Sequence, residues 1–431
     1  MWSARSACTD RVGFSRVLSA CGVVSVVGAL SVPITLGLGP EVVPIRIHAA
    51  EGWGRPAVDS VRVYFLSKRH ELIAVARESG VEKWRAPLGS GTPLTAGTTV
   101  LVAGATVVAG DGDVFGIDRD TGAPKWRFTL APEDAPGRYL GEATGGLVLT
   151  GSRSGRIYGV DAESGALRWV SASLGDHTLV YAPAADADDV TNDDRTDERE
   201  MGREGRTAGG ERRERREKDV RDLGTVAVTY TDFSTTPRSG GVVLLDAARG
   251  SVRWRTPFPH RGPDIAAGAT GGPVLTGPVV AAASGDGTVY GFDRHSGAVV
   301  WTVPPVGSND PAGDGAPRVE DVRALASARR TLVVTSLAGT VVAVDPRNGS
   351  ERWRSGSPLD GSVAFAAVTD GRLAYLPHVS GWLVAVDLAD GLERWRVGGS
   401  AVRFEHPPAV VEHRVYVTSA EGLYAFDDIG K

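Results

Sequence analysis

Six carboxylates recur at one position of a repeated pattern: Asp118, Asp161, Asp246, Asp293, Asp345 and Asp387. Each stands four residues before a glycine (Gly122, Gly165, Gly250, Gly297, Gly349, Gly391) and eight before a tryptophan (Trp126, Trp169, Trp254, Trp301, Trp353, Trp395). An earlier copy keeps Gly80 and Trp84 but has Ala76 in place of the acid. A carboxylate can act as a general base or as a hard-metal ligand. Repetition at one spacing argues for a third duty, accepting backbone N–H groups of a turn whose glycine takes a positive φ. We assign these residues a structural role and nominate no catalytic, cofactor-binding or metal-binding residue.

Three other patterns could carry chemistry. Asn309, Asp310 and Asp314 lie in the segment Asn309-Asp310-Pro311-Ala312-Gly313-Asp314-Gly315, the nearest thing to a calcium loop. It reads better as a solvated, turn-rich connection. Gly110-Asp111-Gly112 and Gly285-Asp286-Gly287 each precede a strand rather than a helix, so they read as hairpin turns and not as phosphate cradles. No Gly-x-Ser-x-Gly elbow, His-Glu-x-x-His or Cys-x-x-Cys occurs, and the 8 His show no ligand spacing. His406 and His413 are expected at the surface.

The elements that must position these residues are short strands. Thr288-Val289-Tyr290-Gly291-Phe292 leads into one Asp turn, and Thr331-Leu332-Val333-Val334-Thr335 and Arg414-Val415-Tyr416-Val417-Thr418 are typical strands upstream of others. The chain returns after each Asp turn and carries its Trp to an outer edge, where the large ring can pack between neighbouring sheets. Successive Asp positions, from Ala76 to a truncated copy ending at Asp427, are 42, 43, 85, 47, 52, 42 and 40 residues apart. Four short antiparallel strands in each such interval describe a propeller blade. The expected fold is all-β, an eight-bladed β-propeller of four-stranded antiparallel blades preceded by an N-terminal hydrophobic segment, with seven blades as the alternative. The last unit lacks an outer strand. Either Ile45-Arg46-Ile47-His48 or the Trp53 region would supply it and close the ring.

Composition agrees with many turns: 56 of 431 residues are Gly, against a usual share of about 7%. The 2 Cys, Cys8 and Cys21, precede the repeats, so no disulfide framework serves the fold. Between Asp186 and Asp222 lie 14 acidic and 10 basic residues, which leaves 37 basic and 38 acidic for everything else. That near-neutral remainder offers no nucleic-acid footprint. The segment 184–222 has almost no apolar side chain and is expected as a disordered insertion between the first two strands of blade four. Two connections, Thr256–Gly272 and Thr302–Asp321, are long and Pro/Gly-rich, on the opposite face.

Residues 1–40 read as a signal or membrane anchor and 41–431 as the propeller. Arg5, Arg11 and Arg16 precede an uncharged stretch from Val17 to Gly39, long enough to span a bilayer with its N-terminus inside. A cleaved signal peptide is the competing reading. Leu18-Ser19-Ala20-Cys21 has the letters of a lipoprotein box, but Arg16 stands where that signal should be apolar.

The run Gly116-Ile117-Asp118-Arg119-Asp120-Thr121-Gly122-Ala123-Pro124-Lys125-Trp126 resembles the tryptophan-docking repeat of pyrroloquinoline-quinone-like (PQQ-like) propellers, and the resemblance covers about residues 50–428 apart from the insertion. The resemblance implies either a quinoprotein oxidoreductase holding PQQ and calcium or a binding module like the assembly lipoprotein BamB. Enzyme members often carry an adjacent Cys-Cys pair, and the repeats here contain no cysteine. We therefore expect no cofactor and a non-catalytic, extracytoplasmic protein-binding scaffold. Its expected partners are other proteins at the cell envelope and the membrane through the N-terminal segment, with no nucleic acid. A secreted form, a quinoprotein oxidoreductase and a small-ligand sensor are the alternatives.

Overall fold

The computed structural model describes residues 42–89, 100–111, 113–130, 134, 136–143, 146–152, 154–174, 178–181, 224–234, 238–259, 269, 271–304, 322–328, 331–336, 339–355, 367–404 and 406–427. The uncharged N-terminal stretch, the insertion 184–222 and the Asn309–Gly315 segment lie outside them. Contacts separate the chain into two units, residues 1–38 and 39–431, and the propeller belongs to the second. Among the described residues every regular element is a strand, and no helix is long and apolar enough to cross a membrane.

Eight four-stranded antiparallel sheets make up the fold. In the first blade the strands Gly52–Val58, Arg62–Ser67, Glu71–Ala76 and Glu82–Pro87 run from the inside of the ring outward. The middle two strands of each blade are buried nearly throughout, as in Arg62–Ser67 and Val279–Ala283, because both of their faces meet neighbouring sheets. Outer strands alternate, as in Glu82–Pro87, with Trp84 and Ala86 buried and the residues between them exposed. Each of the eight seams between blades is filled by its own hydrophobic cluster, so the core is divided around the ring rather than gathered in one place.

Ring closure falls to the first of the two expected segments. Ile45–His48 pairs antiparallel with Gly422–Asp427 and becomes the outer strand of blade eight. Trp53 instead lies in the inner strand of blade one. The interval of 85 residues holds one blade, with strands Thr178–Tyr181 and Thr225–Asp232 on either side of the insertion. His406 departs from expectation. It is buried, with its ring edge-on to Trp53 at 4.8 Å between centroids, because closing the ring brings the two ends of the chain together. His413 is exposed, in a turn with positive φ.

Candidate functional site

The repeated residues converge on one local device, used at successive seams. Asp118 Oδ1 accepts the N–H groups of Asp120 and Thr121 at 3.1 and 2.8 Å. Asp161, Asp246, Asp293, Asp345 and Asp387 cap their own turns in the same way. Each turn closes with a bond from the glycine N–H to the Asp carbonyl, 2.9 Å for Gly122 and 2.8 Å for Gly165. The glycine is required at Gly165 on two grounds: its φ is 71°, and a Cβ there would lie 2.5 Å from Trp126 Cδ2. The Trp of one blade therefore lies flat on the turn of the next.

The indole is anchored at its edge as well. Trp84, Trp126, Trp169, Trp254, Trp301 and Trp353 donate Nε1–H to the carbonyls of Arg119, Ala162, Ala247, Arg294, Pro346 and Leu388, at 2.8–3.1 Å. Every acceptor is the residue just after the Asp position of the following blade. Trp395, facing the last blade, meets the Phe426 ring edge-on at 5.5 Å. A buried indole needs a hydrogen-bond partner, so this position combines a large apolar area with one obligatory directional bond.

Sequence reasoning missed the residue before each Trp. The pairing of third and outer strands slips by one residue there, as between Gly159 and Val160, whose partners are Trp169 and Leu167. The residue skipped is Arg168; in the other six regular blades it is Lys83, Lys125, Arg253, Val300, Arg352 and Arg394. A bulge bends the strand and re-aims the extra side chain. Arg168, Arg253, Arg352 and Arg394 fold back onto the second oxygen of Asp161, Asp246, Asp345 and Asp387. Lys125 reaches Glu163 in the turn of the next blade. A basic residue immediately before five of the six capped-blade tryptophans was the available signal.

These contacts set the electrostatics. Burial works to raise the Asp161 carboxyl, yet bonds from Ser164 and Arg168 outweigh it and hold the group at about 2. Asp118, Asp246, Asp293 and Asp345 are likewise below the ordinary carboxylate value. Ser or Thr hydroxyls are the main cause at Asp118 and Asp293, Arg253 at Asp246, and the Arg347 N–H at Asp345. A carboxylate committed to turn N–H groups and a guanidinium is a poor base and a poor metal ligand.

A second repeated cap, also missed, lies on the opposite face. Ser67, Ser152, Ser336 and Ser419 end second strands and accept turn N–H groups on Oγ. Ser-x-x-Gly in Ser152–Gly155, Ser284–Gly287 and Ser336–Gly339 is its signature. In blade seven His378 takes the place of this Ser and accepts the Ser380 N–H on Nδ1. Both Gly-Asp-Gly segments do fall at strand-two to strand-three hairpins, with Gly112 outside the described residues.

Among the described residues two buried carboxylates lie apart from the Asp turns, and both are occupied. Asp134 accepts Ser154 and Tyr158 hydroxyls and the Arg156 guanidinium. Burial, then Asp134, pushes the Tyr158 phenol up to about 12. Asp286 takes the Ser284 hydroxyl and the Thr288 N–H. Among the described residues no three His, Cys, Asp or Glu side chains converge. Of the two long connections, the described start of the first is pinned by Phe258, fully buried against Tyr290 and Phe292. A cleft of about 650 Å³ opens where the closing strand meets blade one, lined by His48, Glu51, Ser67, Arg69, Glu71 and Arg85 among others.

A family model described as outer membrane protein assembly factor BamB matches residues 33–193, 195–355 and 337–431. No curated protein sequence matches the chain. Among solved structures, BamB from Moraxella catarrhalis is 17% identical, with 90% of this chain and 98% of that one covered and a TM-score of 0.57. The computationally designed Ika8 protein is 14% identical over 89% and 99% of the two chains, TM-score 0.60. Sqt1 from Saccharomyces cerevisiae is 11% identical over 91% and 100%, TM-score 0.59. At these identities the structures establish a shared fold.

Proposed function

The chain belongs to the family of BamB-like PQQ-repeat propellers, and from that premise we propose that it is a non-catalytic, extracytoplasmic scaffold that binds other proteins of the cell envelope. One observation carries the reading: the repeated charged and aromatic residues are spent within the ring. Asp caps, bulged Arg side chains and indole N–H groups bond their own or the next blade. A rigid ring so built leaves recognition to its loops and rim, where connections tolerate change and carry binding residues. The family's description as an outer membrane protein assembly factor supports a protein partner over a small substrate. In this reading residues 1–40 export and tether the propeller, and neither PQQ nor calcium takes part.

Crosslinking in intact cells followed by affinity capture, with and without residues 184–222, tests the proposal. The account expects envelope proteins to be captured. Capture of cytosolic proteins alone would overturn it, as would dye-linked alcohol oxidation by purified protein supplied with PQQ and calcium.

A further inference from the structure

The point where the chain enters the propeller constrains which part of the rim can face a membrane. Val42 is buried, packed with Phe404, Tyr424 and Phe426, so the chain is fixed to the body from that residue onward. The uncharged stretch ends at Gly39, three residues earlier. Three residues of extended chain reach at most about 11 Å.

The rim at that entry point carries four exposed aliphatic side chains. Val43, Ile45, Val61 and Val81 are 60%, 61%, 56% and 56% exposed, and backbone contacts hold them to one corner. Ala76 donates its N–H to the Val81 carbonyl, and the next residue, Arg77, donates to the Val61 carbonyl, at 2.8 and 2.9 Å. Gly80, beside Val81, lies against Ile47 of the strand that carries Ile45. The charges around them balance: Glu78, Asp120, Glu412 and Asp427 against Arg46, Arg62, Arg77 and Arg414, with Arg62–Asp120, Arg77–Glu412 and two Arg414 contacts paired directly. Exposed aliphatics without net charge suit the headgroup boundary of a zwitterionic bilayer better than an anionic surface or a basic partner.

We propose that the seam between blades eight and one is the membrane-facing side of the propeller, with Val43, Ile45, Val61 and Val81 resting in the lipid headgroup layer. The inference depends on the reading of residues 1–40 as an uncleaved anchor.

The test uses the full chain in phosphatidylcholine vesicles, with a benzoylphenylalanine photo-crosslinker replacing Ile45, Val81 or, on the far side of the ring, Val300. Co-flotation with the vesicles is scored first. If the chain does not float, the anchor reading falls and the inference falls with it. If it floats, the expected result is a mass increase of one phosphatidylcholine at positions 45 and 81 and none at 300, unchanged by high salt. Flotation with no adduct at 45 and 81, or with equal adducts at 300, overturns the rim contact while leaving the anchor standing.

Discussion

Six seams of this ring share one construction, and the closing seam does not share it. At a regular seam an indole lies on a glycine turn, donates to the carbonyl after the Asp position, and is backed by a bulged side chain, as Trp169 is on the Gly250 turn. At the closing seam the strand comes from the other end of the chain and carries no tryptophan. Ile45 holds the Trp register, opposite Ala425, but points to solvent. The bulged residue, Ile47, covers Gly80 instead, with its carbonyl only 2.2 Å from where a Cβ would stand. The receiving turn differs as well, since Ala76 supplies no cap.

Other contacts take over at that seam. Arg77 is buried and donates to Tyr416 Oη at 3.1 Å and to Glu412 at 2.7 Å. Thr418 donates to the Gly54 carbonyl, and His48 pairs with Glu82 at 3.0 Å. The apolar filling is complete, from Val63, Phe65, Ile73 and Val75 to Tyr416 and Leu423. A closure made from the two ends of the chain therefore replaces one large aromatic lock with several smaller polar ones. Closing strands remove the open edges that would otherwise invite pairing with other chains.

The comparison can be broken at its strongest point first. Trp301→Ala removes a buried indole and strands the Pro346 carbonyl, and should cost about 3–5 kcal/mol in urea unfolding. Ile47→Ala at the closing seam should cost only about 1 kcal/mol, because that side chain is half-exposed. Equal losses would show the two kinds of seam to be equivalent. Next, Asp161→Ala should cost about 1–2 kcal/mol, the range of a lost turn or helix cap.

The same carboxylates make a pH signature. Their folded values lie below the unfolded one, so the stability they contribute is present above about pH 4 and is lost as pH falls towards 2. Melting temperatures recorded from pH 5 down to pH 2 should fall accordingly, and Asp161→Asn should flatten part of that slope. Ala76→Asp sharpens the comparison from the other side by giving blade one a cap, with Lys83 seven residues on, where Arg168 stands relative to Asp161. A gain of about 0.5–1 kcal/mol is expected. The smallest effect should come from Glu82→Gln, which weakens the partly exposed contacts with Arg85 and His48 and should cost less than about 1 kcal/mol, and less again in high salt.

The regular seams were legible in the sequence because one local spacing, Asp to Gly to Trp, encodes each of them. Blade count followed from it, and so did the placement of the insertion within blade four. The role of Arg168 and its counterparts was not read, although a basic residue before Trp recurs, because only the bulge turns that side chain back onto Asp161. The Ser-x-x-Gly caps went unnoticed for a different reason: Ser is common in turns and the pattern is short. The closing seam was the least legible part. Which segment paired with Gly422–Asp427, and that His406 would be buried against Trp53, depend on contacts between opposite ends of the chain, which no local pattern records.

Native-state hydrogen exchange tests the central claim most directly, since it reads the opening free energy of each seam in the intact ring. Amides of Ile45–His48 and of Gly422–Asp427 that face it should exchange through an opening of lower free energy than those joining Ile157–Asp161 to Leu167–Val170. Protection at the closing strand equal to or greater than at the Trp169 seam would contradict the account.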